Sequence, residues 1–215
     1  MFKQWKEDIA AIRTRDPAAR NNFEVFFLYA GFKALRRHRR AHWWYNRKHY
    51  FIARWISERT RRKTGIEIHP AAKIGKGLFI DHGSGVVIGE TVEIGDNVTI
   101  YQGVTLGGTG KDKGKRHPSI GNNVLIGAGA AILGPFTVHD NARIASGAVV
   151  LKEVPENATA VGVPARIVRI GDQKISPLDH VNTPDPVNQC ISQLQKDVDE
   201  LKAKLGIQRD TNGAL

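Results

Sequence analysis

The sequence is poor in cysteine: Cys190 is the only one, so no disulfide can form within the chain and secretion gains no support from cysteine usage. It has no apolar run approaching the roughly 18 residues of a membrane span. Its first residues, Met1-Phe-Lys-Gln-Trp-Lys-Glu-Asp8, are charged throughout and lack the apolar centre of a signal peptide. These absences point to a cytoplasmic protein without a membrane partner. A nucleic-acid motif is missing too, although the net charge is +11. Much of that charge lies between Lys33 and Lys63, including Arg36-Arg37-His38-Arg39-Arg40, with Trp43, Trp44 and Tyr45 available as stacking groups. With no motif to accompany it, the charge reads as a solvated helical face, and nucleic acid is not expected as a partner.

Hydrophobic residues make up 41% of the 215 positions and charged residues 25%, an ordinary globular balance. The 22 glycines cluster between Gly65 and Gly171, which implies a turn-rich middle. Three zones follow. Residues 1–66 read as helical, with Trp5, Ile9 and Ile12 at helical spacing and Asp16-Pro17 placed to cap and open a second helix. Asn22–Trp44 and Tyr45–Lys63 continue the helical pattern, and Gly65 is placed to end it.

From Ile68 the period changes to six. Aliphatics fall at Ile68, Ile74 and Ile80; at Ile88, Ile94, Ile100 and Leu106; and at Ile120, Ile126, Ile132, Val138, Ile144 and Val150. Steps of eight (80 to 88) and fourteen (106 to 120) break the register. Neither helix nor ordinary strand gives this period; a hexapeptide repeat marks a parallel β-helix, three hexads per triangular coil. Residues 67–170 are therefore expected to form that coil. The fold class is α+β: a helical region, a left-handed parallel β-helix and a C-terminal helix. A β-helix exposes flat outer faces, and packing three prisms together buries them, which favours a closed trimer. Residues 171–185 form a proline-rich linker, and residues 186–207 a helix with Val187, Ile191, Leu194, Val198, Leu201 and Leu205 at alternating steps of four and three. Such a seam needs a partner, either other copies or the protein's own body. Residues 208–215 form a tail.

Polar residues within a hexad repeat are not required by the coil. Glu67, His69, Asp81, His82 and His117 gather at or near the two breaks, and the second break inserts Gly107-Gly-Thr-Gly-Lys-Asp-Lys-Gly-Lys-Arg116-His117-Pro118. A transferase acting on a hydroxyl needs a base titrating near neutrality, which histidine supplies, and a carboxylate to orient it. Some β-helices, the γ-class carbonic anhydrases, instead hold zinc between subunits with three histidines. No His-x4-His pair occurs here, so a zinc enzyme ranks second and no metal is expected.

The segments Ile68–His82, Val87-Ile-Gly-Glu-Thr91, Gln102-Gly-Val-Thr-Leu-Gly-Gly-Thr-Gly110, Lys115-Arg-His-Pro-Ser-Ile120 and Ala160–Val168 resemble serine O-acetyltransferase, as does Ala11-Ile-Arg-Thr-Arg-Asp-Pro-Ala18. The resemblance implies acetyl transfer from acetyl-CoA to the hydroxyl of L-serine, giving O-acetyl-L-serine for cysteine synthesis. It assigns His82 as general base, with Glu67 standing where the family has an aspartate that orients it, and adds His117 to the catalytic group. Asp16 and Asp81 match the residues that take the serine amino group; Arg116 and His117 match those near its carboxylate. Gly108, Ala128 and Arg143 are candidate CoA contacts in a groove between neighbouring β-helices. L-cysteine would use the serine contacts as a feedback inhibitor. The short helical zone implies a lone homotrimer, with a hexamer possible. The ending Asn-Gly-Ala-Leu215, lacking the isoleucine that family members insert into cysteine synthase, puts that complex in doubt. The rival acceptor class, a sugar or antibiotic hydroxyl, offers no carboxylate for Arg116 and His117.

Overall fold

The structure is a computed structural model that describes residues 2–110, 113–171 and 186–205. The chain divides into two units, Met1–Thr183 and Pro184–Leu215. Most of the linker expected at 171–185 and the tail at 208–215 lie outside the described residues.

The first unit begins with four helices: α1 (Phe2–Arg15), α2 (Asn22–Leu28), α3 (Ala30–Tyr45) and α4 (Tyr50–Thr64). Asp16-Pro17 does not open a helix, contrary to the expectation: Asp16 closes α1 by giving its N–H to the Ile12 carbonyl, and the N-cap of α2 is Asn21, whose side chain accepts from the Glu24 N–H. The apolar-basic pattern from Asn22 to Trp44 is also two helices, broken at Tyr29, whose backbone is extended (φ −69°, ψ 117°). Helix α4 ends at Gly65, held left-handed at φ 71°. The contact between α3 and the coil is close enough that a Cβ on Gly31 would collide with the Ile80 carbonyl.

The basic stretch is only partly a solvated face. Arg39 pairs with Asp8 of α1 at 2.9 Å, with side-chain exposures of 9% and 1%. The same guanidinium donates to the Gly75 carbonyl, and Asp8 accepts from the Gly77 N–H at 2.9 Å. One buried ion pair therefore ties α1, α3 and the coil. Burial outweighs the attraction of Arg39 and holds the Asp8 carboxyl above its usual range. Arg36 lies over the Phe26 ring at 4.2 Å and Arg47 over Trp43 at 3.6 Å, so the aromatics offered as stacking groups are in part already covered by arginine.

From Glu67 the chain winds through short parallel strands: β1 (Glu67–Ile68), β2 (Lys73–Ile74), β3 (Phe79–Ile80), β4 (Val87–Ile88), β5 (Glu93–Ile94), β6 (Thr99–Ile100) and β7 (Thr105–Gly107). After the loop come β8 (Ser119–Ile120), β9 (Leu125–Ile126), β10 (Ala131–Leu133), β11 (Thr137–Val138), β12 (Arg143–Ile144), β13 (Val149–Val150), β14 (Ala158–Val161) and β15 (Arg166–Ile170). They stack into three sheets, β1-β4-β7-β10-β13, β2-β5-β8-β11 and β3-β6-β9-β12-β14-β15. Every hexad aliphatic occupies the second position of its strand. The ladder Ile68–Ile88–Leu106–Ile132–Val150 shows the consequence: each residue sits directly on the one below it and is buried. Two residues earlier, small apolar residues are buried at each of the three corners: Ala72 and Val92 at one, Val98, Val124 and Ala142 at the second, and Val104, Ala130 and Ala148 at the third. Each buried Ile or Leu in the ladder contributes about 1.5–3 kcal/mol over its exposed state.

The corners use the left-handed conformation. Asn97, Asn123, Asn141 and Asn157 form one column at φ 56–59°, and each sends its N–H to the coil below. Asparagine tolerates this region where β-branched residues do not. The register breaks are insertions at other corners. A coil spans 18 residues from Val87 to Thr105, but 20 from Glu67 to Val87 and 26 from Thr105 to Ala131. The coil closes on a feature that the hexad pattern did not announce: β15 turns back antiparallel on β14 and covers the last parallel edge.

The second unit contains α5 (Pro186–Leu205).

Candidate active site

The two-residue insertion lies between β3 and β4 and carries Asp81 and His82. His82 adopts a left-handed backbone (φ 56°), uncommon for a residue with a Cβ, and Gly83 follows at φ 74°. This turn lifts the imidazole off the coil: its side chain is 77% exposed, with Nε2 4.0 Å from Asp81 Oδ1. At that separation the pair is electrostatic rather than hydrogen-bonded. Asp16 belongs to the same neighbourhood through tyrosines. Its Oδ1 accepts from the Ala18 N–H at 2.8 Å, and its Oδ2 accepts from the Tyr29 hydroxyl at 2.6 Å. Burial, the Asp16 hydrogen bond and the nearby charges of Asp16 and Asp81 all push the Tyr29 phenol up, so it stays a donor. Tyr101 is raised by burial and by Asp81 and Asp16. Asp16, Asp81 and His82 thus share one acidic edge. Tyr29, at the break between α2 and α3, was not singled out from the sequence, where it looked like one more aromatic in a continuous helix.

The eight-residue insertion lies between β7 and β8 and returns to the coil at Arg116-His117. Thr91 fastens it. Its Oγ1 accepts from the Arg116 and His117 N–H groups, each at 3.1 Å, and Lys115 Nζ donates to its carbonyl at 2.8 Å. His117 Nδ1 accepts from the Thr91 N–H at 3.3 Å and stands 2.9 Å from the Thr91 hydroxyl. With Nδ1 an acceptor, the ring proton sits on Nε2, leaving that nitrogen a donor. Burial first, then Arg116, lowers the His117 pKa, so this neutral tautomer persists at neutral pH. The ring packs on Gly89, where a Cβ would overlap it, which explains a glycine there. Arg116 pairs with Glu90 at 2.8 Å, and His69 is held neutral chiefly by burial beside Glu90, Arg54, Arg116 and Glu67. Thr91 carried no chemical signal of its own in the sequence; its role appears only when the loop is closed.

Several expected partners do not meet within one chain. Glu67 pairs with Arg61 at 3.6 Å and approaches Arg54 at 4.0 Å, rather than His82. Asp81-His82 lie at the corner that leads into β4 of the first sheet and Arg116-His117 in the insertion that leaves β7 of the same sheet, so the acidic and basic groups occupy opposite edges of one face. Gly108 lies beside Arg116 and His117, Ala128 on the corner after β9, and Arg143 at the start of β12. Arg143 lines a cavity of about 390 Å3 with Arg15, Asn97, Asn123 and Asn141. Among the described residues, no three His, Cys, Asp or Glu side chains converge to hold a metal.

Residues 1–37 match the family model "Serine acetyltransferase, N-terminal", and residues 117–152 match "Bacterial transferase hexapeptide (six repeats)". The chain is 54% identical over 205 residues to a serine acetyltransferase of Bacillus pumilus, covering 95% of this chain and 94% of that protein. The chain belongs to the serine acetyltransferase family. Solved structures agree. The Brucella abortus serine acetyltransferase in complex with coenzyme A is 47% identical with a TM-score of 0.77, over 80% of this chain and 69% of that one. A serine acetyltransferase in complex with cysteine is 42% identical with a TM-score of 0.81, over 84% and 71%. The coil described above is therefore the left-handed β-helix of this family, and the chain is an acyltransferase.

Proposed function

We propose that the protein transfers the acetyl group of acetyl-CoA to the hydroxyl of L-serine, releasing O-acetyl-L-serine and CoA for cysteine synthesis in the cytoplasm. The observation that carries this reading is the placement of acidic and basic groups on opposite edges of one β-helix face. Serine is a zwitterion, and a site for it needs a carboxylate at one end and cationic or N–H donors at the other. Asp16 and Asp81 supply the first; Arg116 and the Nε2–H of His117 supply the second. Because one chain keeps the edges apart, the site forms where the acidic edge of one copy faces the basic edge of the next. A closed homotrimer completes three such sites.

In this arrangement the exposed His82 imidazole takes the serine hydroxyl proton as the oxygen attacks the thioester carbonyl. The C–S bond breaks, and the departing CoA thiolate recovers that proton from the imidazolium. Glu67, whose partners within the chain are Arg61 and Arg54, orients the His82 ring across the interface between copies, and its carboxylate stabilises the cation. CoA lies in the groove between copies, against Gly108, Ala128 and Arg143. The relatives support both ligands, since one solved structure holds coenzyme A and another holds cysteine. Cysteine carries the same ammonium and carboxylate as serine, so it competes for the same edges and acts as a feedback inhibitor.

His82→Ala tests the base assignment. Turnover should fall by about two to four orders of magnitude with the fold intact by circular dichroism. A loss below about tenfold would refute it.

A further inference from the structure

Helix α5 presents an apolar stripe that the described structure leaves in solvent: Ile191, Leu194, Val198 and Leu201 are 45%, 57%, 46% and 57% exposed. Exposed apolar residues of this kind, in a line from Ile191 to Leu201, mark a surface that is covered in the working protein. The spacing identifies the geometry. Val187, Leu194 and Leu201 fall at d of a heptad, and Ile191, Val198 and Leu205 at a. β-Branched Ile and Val at a with Leu at d is the layer pattern of a parallel coiled-coil pair.

The flanking charges decide orientation. Asp197 is at g and Lys202 at e of the next heptad. In a parallel, in-register pair, a g residue faces the e residue five positions on in the other helix, so Asp197 meets Lys202 from both sides. An antiparallel pair with matched a and d layers centres near position 196 and brings Asp197 against Asp197. Opposite charges favour the first arrangement and like charges penalise the second. Within one helix Gln193 donates to Asp197 Oδ1 at 2.9 Å, leaving Oδ2 for a cation across the seam, and Lys204 pairs with Glu200 at 2.8 Å.

We infer that α5 is a self-association element: its seam is covered by α5 of a second copy of this chain, parallel and in register. Three heptads are too short to pair firmly as a free peptide, because isolated helices of this length are marginal. Tethering to an oligomeric body supplies the missing concentration, at the millimolar level for short linkers. The inference rests on the α5 pattern and on the assembly proposed above, and does not depend on the proposed activity.

Cysteine cross-linking of the full-length protein tests it, with Cys190→Ser as background. Leu201→Cys, at d, should oxidise to a disulfide-linked dimer in more than about half of the chains, whereas Lys196→Cys on the outer face should not. Asp197→Lys should reduce the Leu201→Cys product several-fold, and adding Lys202→Asp should restore it. Failure of Leu201→Cys to cross-link, equal cross-linking at 196 and 201, or a better yield between Ile191→Cys and Leu201→Cys chains than between two Leu201→Cys chains would each overturn the inference. Thiol release is followed in parallel, and the cross-linked protein should keep its activity.

Discussion

If each active site joins the acidic edge of one copy to the basic edge of the next, two inactive variants should repair each other. His82→Ala removes the base from the acidic edge but leaves Arg116 and His117 untouched; Arg116→Ala combined with His117→Ala does the reverse. The first variant should keep about 1% of turnover or less. The second loses two charge-assisted contacts to the serine carboxylate, each contributing about 1.5–3 kcal/mol, and should also fall about a hundredfold or more in kcat/KM. In trimers assembled at random from equal amounts of the two chains, an interface has both edges intact when a double-variant copy supplies the acidic edge and a His82→Ala copy the basic one. That occurs at about one quarter of the interfaces in a closed ring. Selection through two different tags discards the uniform trimers, and every mixed ring has one intact interface of three, so the purified mixture should show about a third of native activity in a thiol-release assay. Mixing the separately assembled variants without exchange should give none of this recovery. A co-expressed mixture no more active than its parents would show that both edges act within one chain, and the between-copy site would have to be abandoned.

Three further outcomes follow from the geometry. Thr91→Val keeps the volume but removes the hydroxyl that accepts from Arg116 and His117; serine KM should rise about tenfold, matching the loss of one or two buried hydrogen bonds, while the KM for acetyl-CoA stays within about twofold. Arg39→Ala leaves the Asp8 carboxylate buried without its cation and should destabilise the fold by about 3–5 kcal/mol in denaturant titrations, whereas Asp8→Leu with Arg39→Met should recover only part of that, because the Gly75 carbonyl and the Gly77 N–H lose their partners. His38 is fully enclosed, and burial together with His42 and Arg39 lowers its pKa from 6.5 to about 3. The unfolded chain therefore binds this proton below pH 6.5 while the folded one does not, so stability declines as pH falls from 6.5 towards 3, and His38→Leu should flatten that slope.

The coil was readable because its determinant is local and repeated. One aliphatic per strand, spaced at six, is a stacking rule written thirteen times between Ile68 and Val150. Helix boundaries were less legible, since Tyr29 interrupts an apolar-basic pattern that looks continuous, and Asp16 closes α1 instead of opening α2. The buried pair of Asp8 and Arg39 was hidden within a basic run that reads as solvated until the coil packs against it. At the site, the histidines and carboxylates stood out because a hexad repeat does not need them. Their supports did not: Thr91 and Tyr29 act through hydrogen bonds to residues 13 to 26 positions away, a relation that only the folded chain creates. Glu67 shows the remaining difficulty. Its partners within the chain are Arg61 and Arg54, and the relation to His82 proposed above requires a second copy, which no single sequence displays.

The most direct test of the proposed reaction is CoA release from acetyl-CoA measured against a panel of hydroxyl acceptors: L-serine, L-threonine, serine methyl ester, N-acetylserine, a sugar and an aminoglycoside. L-serine should far exceed the others, and the ester and the N-acetyl derivative, each missing one charge, should fall by an order of magnitude or more, since every lost charge-assisted hydrogen bond costs about 1.5–3 kcal/mol. Release with L-serine no greater than with buffer, alongside turnover of an uncharged acceptor, would contradict the account.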